Sequence, residues 1–275
     1  MTTMSIGPLV SASWLREHAR DSRVRVVDCR FTLTDPAAGE RGYLEGHIPG
    51  AAFMDLNRHL AGPPGGPEGG RHPLPDPERF AESARRAGIS RDSAVIAYDE
   101  QGEGGAARLW WLLRHHGHER VAVLDGALGA WTAAGGPLTA GTEVIAPGDF
   151  EPSPGPDGDT AEAVEIERRL GDGSLALVDA RAAERFRGEN EPIDPVAGHI
   201  PGARNVPFAE LAPGGAMPAP DEIHARLPDS SELVAYCGSG VTACVLVLAA
   251  DVAGRRARLY PGSWSEWSSR GLPAD

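Results

Sequence analysis

The string GHIPGA stands twice in this 275-residue chain, at positions 46–51 and 198–203. It does not stand alone. VVDCR at 26–30 answers to LVDAR at 177–181, AVIAYD at 94–99 to ELVAYC at 232–237, and VAVLDGALGAW at 121–131 to ARLYPGSWSEW at 257–267. Matches in the same order along both halves mean a duplicated domain, and the period is far too long for a solenoid. Within each half, short β-branched and apolar runs alternate with longer helical stretches such as 77–87 and 107–116. That alternation predicts an α/β fold, each half a mainly parallel open sheet flanked by helices. Residues 147–160, PGDFEPSPGPDGDT, lack periodicity and are rich in proline and glycine, so they predict a linker between domains at 1–146 and 161–275. A second Gly/Pro-rich stretch, AGPPGGPEGGRHPLP at 61–75, predicts a surface loop of the first half that orders near the domain interface.

Charge and composition exclude several classes. A formal net charge of -13 with no basic run longer than two residues argues against nucleic acid or an anionic membrane surface as partner. The opening MTTMSIGPLV lacks a basic region followed by an apolar core, so no secretory signal is expected, and no apolar run approaches membrane-spanning length. Three cysteines, Cys29, Cys237 and Cys244, form neither a disulfide framework nor the paired spacing of a zinc site. The expectation is a cytoplasmic protein without metal or cofactor.

The stretch CGSGVTAC at 237–244 carries the chemistry. It follows the apolar run Leu233 to Tyr236, read as a buried strand, and precedes the apolar run from Val245 to Ala250, read as a helix. A Gly-rich loop between strand end and helix N-terminus aims backbone N–H groups at a ligand and stabilises negative charge. The helix dipole gives about 0.3 to 1 kcal/mol. Hydrogen bonds from loop amides to a charged sulfur, roughly 1.5 to 3 kcal/mol each, supply the larger share. Cys237 is therefore the candidate nucleophile, with Gly238, Ser239, Gly240, Val241 and Thr242 as its loop. The repeat places Asp99 opposite Cys237, in a longer loop with three carboxylates, Asp99, Glu100 and Glu103. Such a loop disfavours a thiolate and repels anions, so the first half is expected to be catalytically silent.

Two tandem copies with GHIPGA, a silent first loop and CGSGVTA in the second resemble the rhodanese-type sulfurtransferases, the loop being most similar to the 3-mercaptopyruvate group. The resemblance covers nearly the whole chain. It implies that Cys237 takes a sulfane sulfur from a donor, holds it as a persulfide, and passes it to cyanide or a thiol, a thioredoxin-like protein among the candidate acceptors. It also implies that Arg185, in DARAAERFRG, binds the donor's carboxylate, where a guanidinium can bond bidentately. A second arginine is expected a few residues on, but Ile193 and Asp194 stand there, leaving Arg187 as a substitute. Thiosulfate-preferring relatives carry basic residues after the cysteine, whereas Gly238 and Ser239 are neutral; both 3-mercaptopyruvate and thiosulfate stay open as donors. A serine, histidine and aspartate relay in the 3-mercaptopyruvate group would map to Ser239, His47 and Asp35. Yet His199 repeats His47, which suits a structural role equally well. Two rival classes are a thiol phosphatase, whose required arginine is replaced by Ala243, and a non-catalytic rhodanese-like binding module, whose expected mark is loss of the loop cysteine.

Overall fold

The structure, a computed structural model, describes residues 6–171 and 173–275, with Pro67 described in its backbone only. The chain divides into two compact units, the first made of Met1–Ala61, Pro75–Pro156 and Gly214–Ala216, the second of Gly62–Leu74, Asp157–Pro213 and Met217–Asp275.

In the first unit, strands β1 (Leu9–Val10), β2 (Val24–Asp28), β3 (Ala52–Phe53), β4 (Ala94–Tyr98) and β5 (Val121–Leu124) form one sheet in the order β1-β5-β4-β2-β3. In the second, β6 (Ala176–Asp179), β7 (Arg204–Asn205), β8 (Leu233–Tyr236) and β9 (Ala257–Leu259) follow the order β7-β6-β8-β9. Every strand pair is parallel. β4 and β8 are buried at every position, which is why AVIAY and LVAY read as continuous apolar runs rather than alternating ones. Each sheet has its own core: Val26, Ile96, Tyr98, Leu124 and Trp131 in the first unit, Val234, Tyr236, Tyr260, Trp264 and Trp267 in the second.

The repeated motifs build the same bonds in both units. Arg30 clamps Asp28 and donates to the Gly46 carbonyl at 2.7 Å; Arg181 clamps Asp179 and donates to the Gly198 carbonyl at 2.8 Å. The Ile48 N–H donates to the Tyr98 hydroxyl and the Ile200 N–H to that of Tyr236, both at 3.2 Å. The strings VD[CA]R, GHIPGA and the strand tyrosine are thus one hydrogen-bonded unit, used twice.

In the second sheet the chain leaves β6 for β7 on one side and β8 for β9 on the other. The point between β6 and β8 is therefore a topological switch, where ligands bind beyond the C-terminal strand ends in open α/β sheets. Arg181 and Arg185 follow β6 and Cys237 follows β8, so the sheet delivers them to one edge.

Two segments depart from expectation. A first domain running over 1–146 would hold the whole Gly/Pro-rich stretch, but Gly62–Leu74 packs as part of the second unit. Residues 148–155 are no free linker either. The N–H groups of Gly148, Phe150, Ser153 and Gly155 donate to carbonyls of Arg85, Ile89, His116 and His115, and the Phe150 ring is buried edge-on to Phe80. A stretch without apolar periodicity has been strapped down by its backbone donors, which must find acceptors once desolvated.

Candidate active site

Cys237 sits directly at the end of β8, buried at 2 % exposure, and the loop behind it leads into the helix Ala243–Val252. The Gly240 N–H donates to its Sγ at 3.1 Å. Gly240 turns with φ +76°, and a Cβ there would meet the Pro261 carbonyl oxygen at 2.4 Å, so only glycine fits. The N–H groups of Ser239, Val241, Thr242 and Ala243 have no acceptor among the described residues, although three of these four residues are buried. Buried amides without an acceptor are rare in folded chains and mark a place built for an anion.

The string SWSEW holds this loop from behind. The Ser263 hydroxyl accepts from the Cys237 N–H at 3.1 Å, while the Trp264 and Ser265 N–H groups donate at 2.9 Å to the carbonyls of Cys237 and Gly238. Trp264 and Trp267 are wholly buried core residues, and the Arg181 guanidinium lies over the Trp264 ring. The anchoring serines had no signature beyond their place between two tryptophans.

The relay expected from Ser239, His47 and Asp35 is not what the structure joins. Ser239 Oγ shares a 2.7 Å hydrogen bond with Nδ1 of His72, in the Gly/Pro-rich segment of the same unit. His47 is spent within the first unit: its Nδ1 meets the Tyr43 carbonyl oxygen at 2.8 Å, its Nε2 faces Glu143 at 3.4 Å, and its ring stacks on Tyr43. His199 does the same in the second unit, with Nδ1 at 2.9 Å from the Phe186 carbonyl oxygen and its ring on Phe186. Both histidines brace the GHIPGA turn, which explains why the duplication kept both. Asp35 pairs with Arg41 at 2.6 Å.

Arg185, near the end of a short helix Ala183–Phe186, reaches the neighbour of Cys237: a Cβ on Gly238 would lie 3.4 Å from both of its terminal nitrogens. Its Nε and Nη2, however, already donate to Glu191 at 3.1 and 2.8 Å, and Nη2 also to Asp194 at 3.2 Å. Burial raises the Glu191 carboxyl, but Arg185 and the N–H groups of Asp194 and Ile193 outweigh it and hold it below its ordinary value. Asp194 goes the other way, pushed up by burial and by Glu191 against the pull of Arg71. Arg187, the candidate substitute cation, is on the surface and paired with Glu189 at 2.8 Å. Cys244 is fully buried, its thiol pointing at the Gly240 carbonyl at 3.4 Å, and Cys29 is likewise sealed, burial pushing its thiol well up.

The equivalent loop of the first unit is filled by its own side chain. Asp99, where Cys237 stands in the other copy, accepts from the N–H groups of Gly102 at 2.7 Å, Gly104 at 3.1 Å and Ala106 at 3.2 Å. The amide ring survives there as a carboxylate holder.

A Cys-centred loop at a switch point of a parallel sheet, duplicated with one copy plugged, defines a class that comparison with known proteins identifies: a rhodanese-like domain profile matches residues 11–134 and 162–270, and the chain belongs to that family. It is similar to a probable 3-mercaptopyruvate sulfurtransferase of Pseudomonas aeruginosa, 47% identical over 96% of both chains. It is 41% identical to a putative thiosulfate sulfurtransferase, SseB, of Mycobacterium tuberculosis over 90% of this chain and 88% of the other. The crystal structure of SseA from Escherichia coli, described as a 3-mercaptopyruvate sulfotransferase, superposes with a TM-score of 0.79 at 34% identity, covering 95% of this chain and all of that one. The chain is an enzyme of the sulfurtransferase type.

Proposed function

We propose that this enzyme takes a sulfur atom from 3-mercaptopyruvate and delivers it to a thiol or to cyanide. The Cys237 thiolate attacks the donor's sulfur, the carbon–sulfur bond breaks, and the electron pair stays on carbon as the enolate of pyruvate. That enolate takes up the proton released from the donor thiol. The products are pyruvate and the Cys237 persulfide anion, and attack by the acceptor on the outer sulfur restores Cys237. The buried loop amides without acceptors carry this reading, because a persulfide anion one sulfur longer than the thiolate needs donors that the resting thiol leaves unused. The hydrogen-bonded pair of Ser239 and His72 supports proton movement beside the donor, and Arg185 next to Gly238 supports capture of its carboxylate.

A reducing cytoplasm suits this chemistry, and the three cysteines are buried and form no disulfide. No described helix is long and apolar enough to cross a membrane. A thioredoxin-like protein is a suitable acceptor, since its exposed thiolate can attack the outer sulfur. Comparing kcat/KM for 3-mercaptopyruvate and thiosulfate tests the donor: the first should exceed the second, and the reverse order assigns the enzyme to thiosulfate. Arg185→Ala should weaken use of 3-mercaptopyruvate more than use of thiosulfate.

A further inference from the structure

The pairing of β8 with β9 stops one bond short of the cysteine. Leu233, Val234 and Ala235 pair with Ala257, Arg258 and Leu259, and the Tyr260 N–H donates to the Ala235 carbonyl at 2.9 Å. In a parallel ladder the next bond of that series runs from the Cys237 N–H to the Tyr260 carbonyl. The Ser263 hydroxyl stands in its place, accepting from the Cys237 N–H at 3.1 Å and donating to the Tyr260 carbonyl at 2.9 Å. Both ends of the interrupted rung are thereby satisfied, where Tyr260 and Ser263 are wholly buried and an unpaired backbone group would be costly.

The duplication supplies an internal comparison. The equivalent rung of the first unit would join Asp99 to Leu124, and Ala127, which has no hydroxyl, stands at the place of Ser263. The backbone is alike in both: φ is +53° at Ser263 and +54° at Ala127, a left-handed turn unusual for a residue other than glycine. The next N–H is bonded alike as well, Trp264 to the Cys237 carbonyl at 2.9 Å and Leu128 to the Asp99 carbonyl at 3.1 Å. The turn is common to both copies, and only the hydroxyl belongs to the copy that carries the cysteine.

We propose that Ser263 is a positioning residue for Cys237. Its hydroxyl, inserted into the ladder, holds the Cys237 backbone off the end of β9 and so keeps Sγ against the Gly240 N–H. Without it, the Cys237 N–H and the Tyr260 carbonyl either close on one another or lie buried without partners; in both cases the residue turns and the sulfur shifts from its donor. Ser263 acts through the main chain of Cys237, by fixing where the sulfur stands among the loop amides. This inference rests on the reading of Cys237 as the sulfur carrier and deepens it.

The experiment follows alkylation of Cys237 by iodoacetamide from acid to alkaline pH, read by peptide mass, alongside turnover of 3-mercaptopyruvate, in wild type, Ser263→Ala, Ser263→Gly and Ala127→Gly. Ser263→Ala removes only the hydroxyl. Ser263→Gly also relieves the left-handed turn, and so keeps the test open if the alanine variant folds poorly. At neutral pH both should be alkylated about 10-fold more slowly than wild type, as expected when a hydrogen bond to a charged sulfur is weakened, and the deficit should close at alkaline pH, where the thiol ionises without help. Turnover should fall in kcat with KM little changed. Ala127→Gly, which eases the same turn in the unit without the cysteine, should match wild type in both assays. Ser263 variants that alkylate and turn over like wild type, a deficit that persists at alkaline pH, or recovery in Ser263→Gly alone overturns the proposal while leaving the reaction standing. Wild type that is alkylated at Cys237 but takes sulfur from no donor refutes the carrier reading, and the part of Ser263 in the reaction with it.

Discussion

Nδ1 of His72 lies 2.7 Å from the hydroxyl oxygen of Ser239, two positions beyond Cys237, the proposed nucleophile. The histidine comes from a stretch of glycines and prolines, the serine from the Gly-rich loop after β8, and both belong to the same compact unit. An imidazole on a hydroxyl in the cysteine loop is a pair that can carry a proton between the donor's thiol and the pyruvate enolate of the proposed reaction.

His72→Ala should therefore lower kcat with 3-mercaptopyruvate by about 10²- to 10⁴-fold, the usual worth of general acid–base catalysis. Ser239→Ala should follow it, and the double variant should lose little more than either alone. Steady-state kinetics on the three variants checks this. His47→Ala is the contrasting case: with two partners and a stacked ring lost, it should cost roughly 2–3 kcal/mol of stability in urea unfolding while the folded fraction keeps its turnover. Turnover lost in His47→Ala without loss of stability would restore that residue to the chemistry.

Gly240→Ala should injure structure and activity together. The backbone there has φ +76° and the new methyl would lie 2.4 Å from the Pro261 carbonyl oxygen, so the loop must move, and with it the amide that holds Cys237 Sγ. A cost of about 1–3 kcal/mol is expected for the strain. Persulfide loading should slow more than the stability loss alone explains, as single-turnover measurements would show. Gly254→Ala, also at positive φ but with open space around it, should cost stability only.

The plugged loop of the first unit has a pH signature. Burial, aided by Glu103, pushes the Asp99 carboxyl up to about 7 despite three amide donors. The folded state thus keeps a proton that the unfolded chain releases near pH 4. The associated stability is whole below that value and declines as pH rises through about 7, then levels off. The decline should be on the order of 1–4 kcal/mol, at about 1.4 kcal/mol per pKa unit. Denaturant midpoints from pH 4 to 8 measure it, and Asp99→Asn should flatten the slope over that range.

What the sequence disclosed and what it hid follow from how each residue is held. Cys237 and Arg185 lie on the repeat's regular frame, at the ends of β8 and β6, where apolar runs mark the strands and the positions after them are read directly. The first loop's lack of a thiol was equally legible, since Asp99 stands in its place in an aligned motif. His72 and Arg71 stand in a segment with no periodicity, whose course depends on contacts with Gly262 and Ser265 nearly two hundred residues away. Nothing local in GGRHPLP says which unit it joins. His47 drew attention because its motif is conspicuous, and the motif is conspicuous because the turn it braces is needed twice. The same limit hid Arg71, whose guanidinium lies beside Gly238 although Ile193 stands where a second arginine was expected.

Intact mass spectrometry after incubation with 3-mercaptopyruvate tests the central claim most directly. Wild type should gain the mass of one sulfur atom and lose it on adding cyanide. Cys244→Ser should behave the same way, and Cys237→Ser should gain nothing. Sulfur that still accumulates on Cys237→Ser, or wild type that takes up none from 3-mercaptopyruvate or thiosulfate, would contradict the account.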